Sequence, residues 1–158
     1  MIQRLQTVYL AIVAILCAVG LFGTLGRFSA GTQIVATFNN FTFSAPNVLE
    51  SAGPYVLGVL LILVFVLSIF SVLLFRKRMR QLRLTIFSTI LLVGYVACFV
   101  YFTWIYSGKL ELAMPDSDVS FNLALPALYP VVSIILNILA IRGIRKDEAL
   151  VRSLDRIR

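Results

Sequence analysis

The sequence lacks the residues on which most enzymes and metal proteins depend. It has no histidine, 2 cysteines and 7 acidic residues among 158 positions. Histidine is the commonest acid–base catalyst and metal ligand near neutral pH, so its absence removes the usual centre of such sites. Neither a C-x-x-C motif nor a glycine-rich phosphate loop is present. We therefore expect that the protein is not an enzyme and requires neither metal nor cofactor.

Charged residues are also missing from four long apolar runs of about 19–23 residues each. A helix rises ~1.5 Å per residue and needs ~20 residues to cross the hydrocarbon core of a bilayer. The runs therefore predict an all-α integral membrane protein, a bundle of four transmembrane helices forming a single domain over residues 1–158. The predicted spans are residues 5–25, 54–75, 84–106 and 123–141.

The basic residues are distributed very unequally between the two sides of this predicted bundle. Of the 14 lysines and arginines, all but Arg27 and Lys109 lie before span one, between spans two and three, or after span four. Cytoplasmic segments attract lysine and arginine, so both termini are expected to be cytoplasmic. The expected contacts are the anionic inner leaflet or a protein partner, with no direct nucleic-acid binding. The candidate contact residues are Arg76, Lys77, Arg78, Arg80, Arg83, Arg145, Lys146, Arg152 and Arg156.

The tail, residues 142–158, has the pattern of an amphipathic helix. Glu148 and Arg152 have the i,i+4 spacing that supports a helix. Asp147 and Glu148 are interpreted as surface charges. Such a helix lies on the inner membrane surface, docks in a partner's groove, or forms a solvated extension that packs on residues 76–83, the basic link between spans two and three. The apolar stripe that would make the contact is Leu150, Val151, Leu154 and Ile157.

The two outer loops carry weaker signals of strands. Residues 32–44 are rich in β-branched and aromatic residues around Asn39 and Asn40, which predicts a short β-hairpin; an irregular loop is the alternative. The alternating segment Lys109–Leu112 could add a strand beside it. Aromatic residues also gather where the outer membrane–water interface is expected. They are Phe28, Tyr55, Tyr101, Trp104, Tyr106 and Tyr129.

Span four is the least regular predicted helix. Pro126 and Pro130 each remove a backbone donor, so its outer half should be bent or partly unwound. These prolines share one face with Ser133 and Asn137. A broken helix with polar groups on one face can line a binding site. The alternative, which we favour, is that Ser133 and Asn137 bond to a neighbouring helix, with Thr85, Ser88, Thr89 or Tyr95 of span three as partners.

Three segments also resemble a known family. They are residues 1–10 (MIQRLQTVYL), residues 80–84 (RQLRL) and residues 144–158 (IRKDEALVRSLDRIR). The chain resembles an uncharacterised family of small four-span inner-membrane proteins of Bacteroidota, a domain of unknown function. The resemblance implies a protein of the cytoplasmic membrane of a Gram-negative bacterium. It implies no activity and no catalytic residues.

Two functions are compatible with these observations. The first is an accessory or scaffold subunit of an inner-membrane complex, which engages a partner or anionic lipid through its basic link and tail. The second is a binding protein or carrier for a lipid or apolar small molecule, with a pocket at the bent part of span four. Purification of a partner with the protein favours the first, whereas a pocket at Tyr129, Ser133 and Asn137 favours the second.

Overall fold

The computed structural model describes residues 2–31, 33–45, 49–51, 54–74, 78–115 and 118–155. This part of the chain forms four α-helices and a five-stranded antiparallel sheet. The helices are α1 (Ile2–Phe22), α2 (Tyr55–Leu73), α3 (Arg78–Ala113) and α4 (Tyr129–Asp155), with a 3-10 turn, Leu125–Leu128, leading into α4. The strands are β1 (Thr24–Ala30), β2 (Gln33–Asn39), β3 (Phe43–Ala45), β4 (Leu49–Ser51) and β5 (Val119–Leu123).

The four helices form an antiparallel bundle in which each helix packs on the next. α1 contacts α2 and α4, and α3 contacts the same two helices from the opposite side. The strands connect helices at one end only, which we call the sheet end. The opposite end, where α1 and α3 begin and α2 and α4 end, carries most of the basic residues and is called the basic end.

Buried positions recur along every helix at alternating steps of four and three residues. This spacing places one seven-residue repeat on the inner face, as in left-handed helix bundles with interlocking side chains. The buried series are 6, 10, 13, 17 and 20 in α1; 57, 61, 64, 68 and 71 in α2; 81, 85, 88, 92 and 95 in α3; and 133, 137, 140, 144 and 147 in α4.

The outside of this bundle is far more apolar than that of a water-soluble one, and its interior contains many polar side chains. Serine, threonine, asparagine and glutamine occupy many of the buried positions, whereas large apolar side chains cover the outside. Leu73, Ile15 and Trp104, for example, are 66%, 62% and 77% exposed. By length and composition, three helices within the described ranges are able to cross a membrane, and the segment Gln6–Phe22 of α1 is a shorter apolar helix.

The sheet has the strand order β4-β3-β2-β1-β5. The hairpin predicted around Asn39 and Asn40 is present, because β2 pairs with β3 across this turn and the Asn39 amide donates to the Thr42 carbonyl at 2.9 Å. A second hairpin joins β1 to β2 at Gly31, whose φ of 62° is easily adopted only without a side chain.

Three sequence-based boundaries are wrong at the sheet end. α1 stops at Phe22, so the last residues of predicted span one belong to β1. Lys109–Leu112 is helical rather than a strand, because α3 continues to Ala113 with Leu110 fully buried. Predicted span four begins too early, because Leu123 ends β5, which pairs with β1 across the 88 residues of chain that separate the two strands.

An aromatic cluster packs the outer part of α3 against the sheet. Phe38 of β2 stacks on Phe99 at 5.7 Å between ring centroids, and Phe43 of β3 stacks on Tyr106 at 4.0 Å. Phe28 of β1 contacts Phe43 edge-on. Phe28 and Tyr106 are therefore buried beneath the sheet rather than placed at a lipid interface as predicted. Beyond the predicted span, Leu110 of α3 is fully buried as well.

Candidate functional site

The predicted polar face of span four lies at the start of α4. Pro126 falls in the 3-10 turn, and Pro130 occupies the first turn of α4, where a missing backbone donor costs nothing. Ser133 and Asn137 follow on the inner face, and both are fully buried. The outer part of predicted span four is thus a 3-10 turn followed by a regular helix.

Asn137 connects α4 to α3 through a hydrogen bond inside the bundle. Its side-chain amide donates to the Ser88 hydroxyl at 3.1 Å, and Ser88 donates to the Thr85 carbonyl at 3.0 Å. One turn closer to the basic end, the hydroxyls of Ser71 and Thr85 lie 3.0 Å apart and connect α2 to α3. These residues form a polar seam that joins three helices. Hydrogen bonds of this kind stabilise helix association where burial from water does not.

Some buried polar atoms in the seam and in neighbouring residues have no hydrogen-bond partner. Among the described side chains, the buried atoms with no hydrogen-bond partner include Asn137 Oδ1, Ser133 Oγ, Ser68 Oγ and Gln81 Nε2. A buried polar atom without a partner lowers the stability of the fold. Replacing such a residue by an apolar one of similar size should therefore reduce the free energy of unfolding only slightly.

The space beside Ser133 is a narrow crevice rather than a ligand pocket. Leu16, Cys17, Gly20, Leu61, Tyr129, Pro130 and Ser133 line it, and it has no room for a water molecule. The two cysteines, buried Cys17 and partly buried Cys98, are both free. A lipid or apolar ligand would require this part of the bundle to open.

Sequence reasoning missed a buried side chain with several hydrogen bonds to the bundle, that of Asn40 in the β2–β3 turn. It is fully buried, and its amide nitrogen donates to the Gly20 carbonyl at 2.7 Å. Tyr95 of α3 donates to the Asn40 side-chain oxygen at 2.7 Å. The Asn40 carbonyl accepts from the Gly58 amide at 3.1 Å. One residue of the sheet therefore contacts α1, α2 and α3.

The basic end presents several of the predicted contact residues. Arg80 and Arg83 of α3 and Arg145 and Lys146 of α4 are exposed. Arg78 and Arg152 belong to helical backbone, but their side chains lie outside the described part of the structure, as do those of Leu150, Val151 and Leu154. Arg76, Lys77, Arg156 and Ile157 lie outside the described residues.

The predicted tail is a direct continuation of α4. The helix runs from Tyr129 to Asp155 over 27 residues, about 40 Å at 1.5 Å per residue. Its continuation past the apolar run is anchored by Asp147, which was predicted to be a surface charge but is only 8% exposed. Asp147 accepts a 2.8 Å hydrogen bond from the Gln6 side chain, because Gly143 allows Gln6 to pack closely on α4.

Comparison with known proteins yields one family. Over residues 2–157 the chain matches the family described as "Domain of unknown function (DUF4293)". The chain belongs to this family. The match confirms the resemblance to an uncharacterised family over nearly the whole chain; an origin in Bacteroidota stays a prediction. A search of curated proteins found no match.

Proposed function

We propose that this DUF4293 member is an integral membrane protein that serves as an accessory or scaffold subunit rather than an enzyme. Its four helices cross the cytoplasmic membrane, the sheet lies outside, and the basic end faces the cytoplasm. The large apolar side chains that cover the outside of the bundle support the membrane placement. The unequal distribution of lysine and arginine supports the orientation.

The observation that best supports a partner-binding role is the uninterrupted path of α4 from Tyr129 to Asp155. A helix that lies on the membrane surface would have to turn where the apolar run ends, near Ile141. The described backbone is continuously helical there, and Gln6 bonds to Asp147 beyond that point. The tail therefore projects from the bundle, and its apolar stripe suits a groove on a partner protein.

The experiment is to purify the full-length protein from native membranes in mild detergent and to identify co-purifying proteins by mass spectrometry. Replacing Leu150 and Leu154 together by serine is expected to release the partner, because both contribute to the stripe. Ser153→Ala, a change at a polar residue of the same helix that is not part of the stripe, is the matched control and should retain the partner. If the native protein and the double variant both purify without a stoichiometric partner, the proposal is wrong.

The carrier function has weaker support. The crevice beside Ser133 has no room for a water molecule, and Asn137 bonds to Ser88 instead of facing open space. It would gain support if one lipid or apolar compound remained bound to the purified protein and was lost on Ser133→Leu substitution.

A further inference from the structure

A groove separates the first turn of α3 from the projecting part of α4 at the basic end. Met79 lines it from α3, and Arg145, Glu148 and Ala149 line it from α4. Its volume is about 240 Å³, and it is open to its surroundings rather than enclosed. Arg145 and Ala149 are exposed and Glu148 is half-buried, so groups of opposite charge border the same space.

The position of the groove along the helices places it at the level of lipid headgroups. The apolar run of α4 ends at Ile141, and Arg145 follows one turn later. The apolar run of α3 begins at Leu84, and Met79 precedes it by five residues, about 7.5 Å along a helix. The groove therefore begins where the hydrocarbon core of the bilayer would end.

The side chains of the groove match a headgroup with two charges. The guanidinium of Arg145 suits phosphate oxygens, which it can bind through two parallel hydrogen bonds. The carboxylate of Glu148 lies three residues further along α4, on the side of the groove away from the hydrocarbon. A primary ammonium group would be attracted to this carboxylate and could donate hydrogen bonds to it, whereas a purely anionic headgroup offers it no positive charge.

We propose that this groove binds a phospholipid with a zwitterionic primary-amine headgroup, such as phosphatidylethanolamine. Its phosphate would bind Arg145 and its ammonium group Glu148, while Met79 and Ala149 form the remaining walls of the groove beside the headgroup. The inference rests on the proposed membrane placement, and it names a lipid partner at the basic end. A choline headgroup fits less well, because its quaternary nitrogen has no N–H to donate.

The test is native mass spectrometry of the full-length protein released from nanodiscs with equal amounts of phosphatidylethanolamine, phosphatidylglycerol and phosphatidylcholine. We expect the ethanolamine lipid to be retained at least about five-fold over each of the others. Glu148→Gln should reduce that preference to below two-fold and increase retention of the glycerol lipid. Arg145→Gln should weaken retention of all three. Arg142→Gln removes a neighbouring exposed cation of α4 that does not line the groove, and it should leave the preference among the three lipids unchanged.

Equal retention of the three lipids by the native protein would overturn the inference, and so would a preference unchanged by Glu148→Gln. If Glu148→Gln folds poorly, Arg145→Lys replaces it: this variant keeps the charge, loses the paired hydrogen bonds, and should show about half the native retention. Failure of the membrane placement is distinguishable, because the protein would then not enter nanodiscs. A protein that enters nanodiscs but retains the three lipids equally contradicts the proposed phospholipid site and leaves the membrane placement intact.

Discussion

Tyr95 and Asn40 join the helix bundle to the sheet through a 2.7 Å hydrogen bond between the Tyr95 hydroxyl and the Asn40 side-chain oxygen. Both residues are buried, and the Asn40 amide also donates to the Gly20 carbonyl near the end of α1. The carbonyls of the last helical turn lack partners within the helix. The Asn40 side chain supplies a hydrogen-bond partner for one of these carbonyls, that of Gly20, and so fixes the β2–β3 turn against the sheet end of the bundle.

The first prediction concerns this connection. Asn40→Leu should lower the free energy of unfolding by about 2–4 kcal/mol, because it leaves the Tyr95 hydroxyl and the Gly20 carbonyl without this partner in a buried site. Asn122→Ala, which removes an exposed asparagine of the sheet, should cost less than about 0.5 kcal/mol. Chemical unfolding in detergent measures both.

A double-mutant cycle adds a stricter test of the same contact. Asn40→Leu should cost less in a Tyr95→Phe background, because no buried hydroxyl is then left unpaired. Additive effects of the two substitutions would contradict a direct bond.

The second prediction compares two glycines of the bundle. A Cβ atom on Gly58 would overlap the Phe41 ring, whereas one on Gly94 would meet nothing within 4 Å. Gly58→Ala should therefore destabilise the protein by about 1–3 kcal/mol, the usual cost of overpacking. Gly94→Ala should be neutral or stabilising by up to about 1 kcal/mol, because alanine favours helix. Thermal unfolding of the two variants is sufficient; equal effects would show that the β2–β3 turn does not pack on α2.

The third prediction concerns the polar seam. Asn137→Ala should cost about 0.5–2 kcal/mol, since hydrogen bonds between membrane helices average ~0.6 kcal/mol and the change also removes packing. The cost is modest because Asn137 Oδ1 has no partner to lose. In a Ser88→Ala background the cost should fall by about the value of one hydrogen bond. Denaturant titration checks the cycle, and an unchanged cost would exclude Ser88 as the partner.

The fourth prediction tests the anchor of the projecting helix. Asp147→Ala removes the acceptor of the Gln6 amide and should destabilise the protein by about 1–3 kcal/mol. Asp147→Asn keeps an oxygen in the same place and should recover most of that loss. Hydrogen exchange of residues 142–149 should rise in the alanine variant and stay near the native level in the asparagine variant. Equal exchange in both would mean that the hydrogen bond does not hold the helix.

The number and approximate positions of the helices could be predicted, because each apolar run is about as long as a helix that crosses a bilayer. Their ends could not, because hydropathy does not report where a helix continues into water or beneath a sheet, as α3 does to Ala113. The partner of β5 was unpredictable for another reason: β1 lies far away in sequence, and its pairing depends on both helical hairpins being folded.

The candidate site residues were likewise only partly predictable from the sequence. Ser133 and Asn137 could be placed on one face from their spacing, and the structure puts both inside the bundle. Asn40 could not be recognised as a bundle residue, because its turn belongs by sequence to an outer loop. One further signal was available but unused: Gln81, Thr85 and Ser88 of α3 follow one another at steps of four and three residues, which places three polar side chains on one face of that helix.

The central claim is that the chain crosses the membrane four times with its basic end inside. Reporter insertion measures this most directly, with one reporter in the hairpin turn at Gly31, one between residues 76 and 77, and one at the C-terminus. The account predicts a periplasmic reporter at Gly31 and cytoplasmic reporters at the other two positions, in a protein that stays with membranes after carbonate washing. Periplasmic reporters at residue 76 and the C-terminus, or a protein that remains dispersed without detergent, would contradict it.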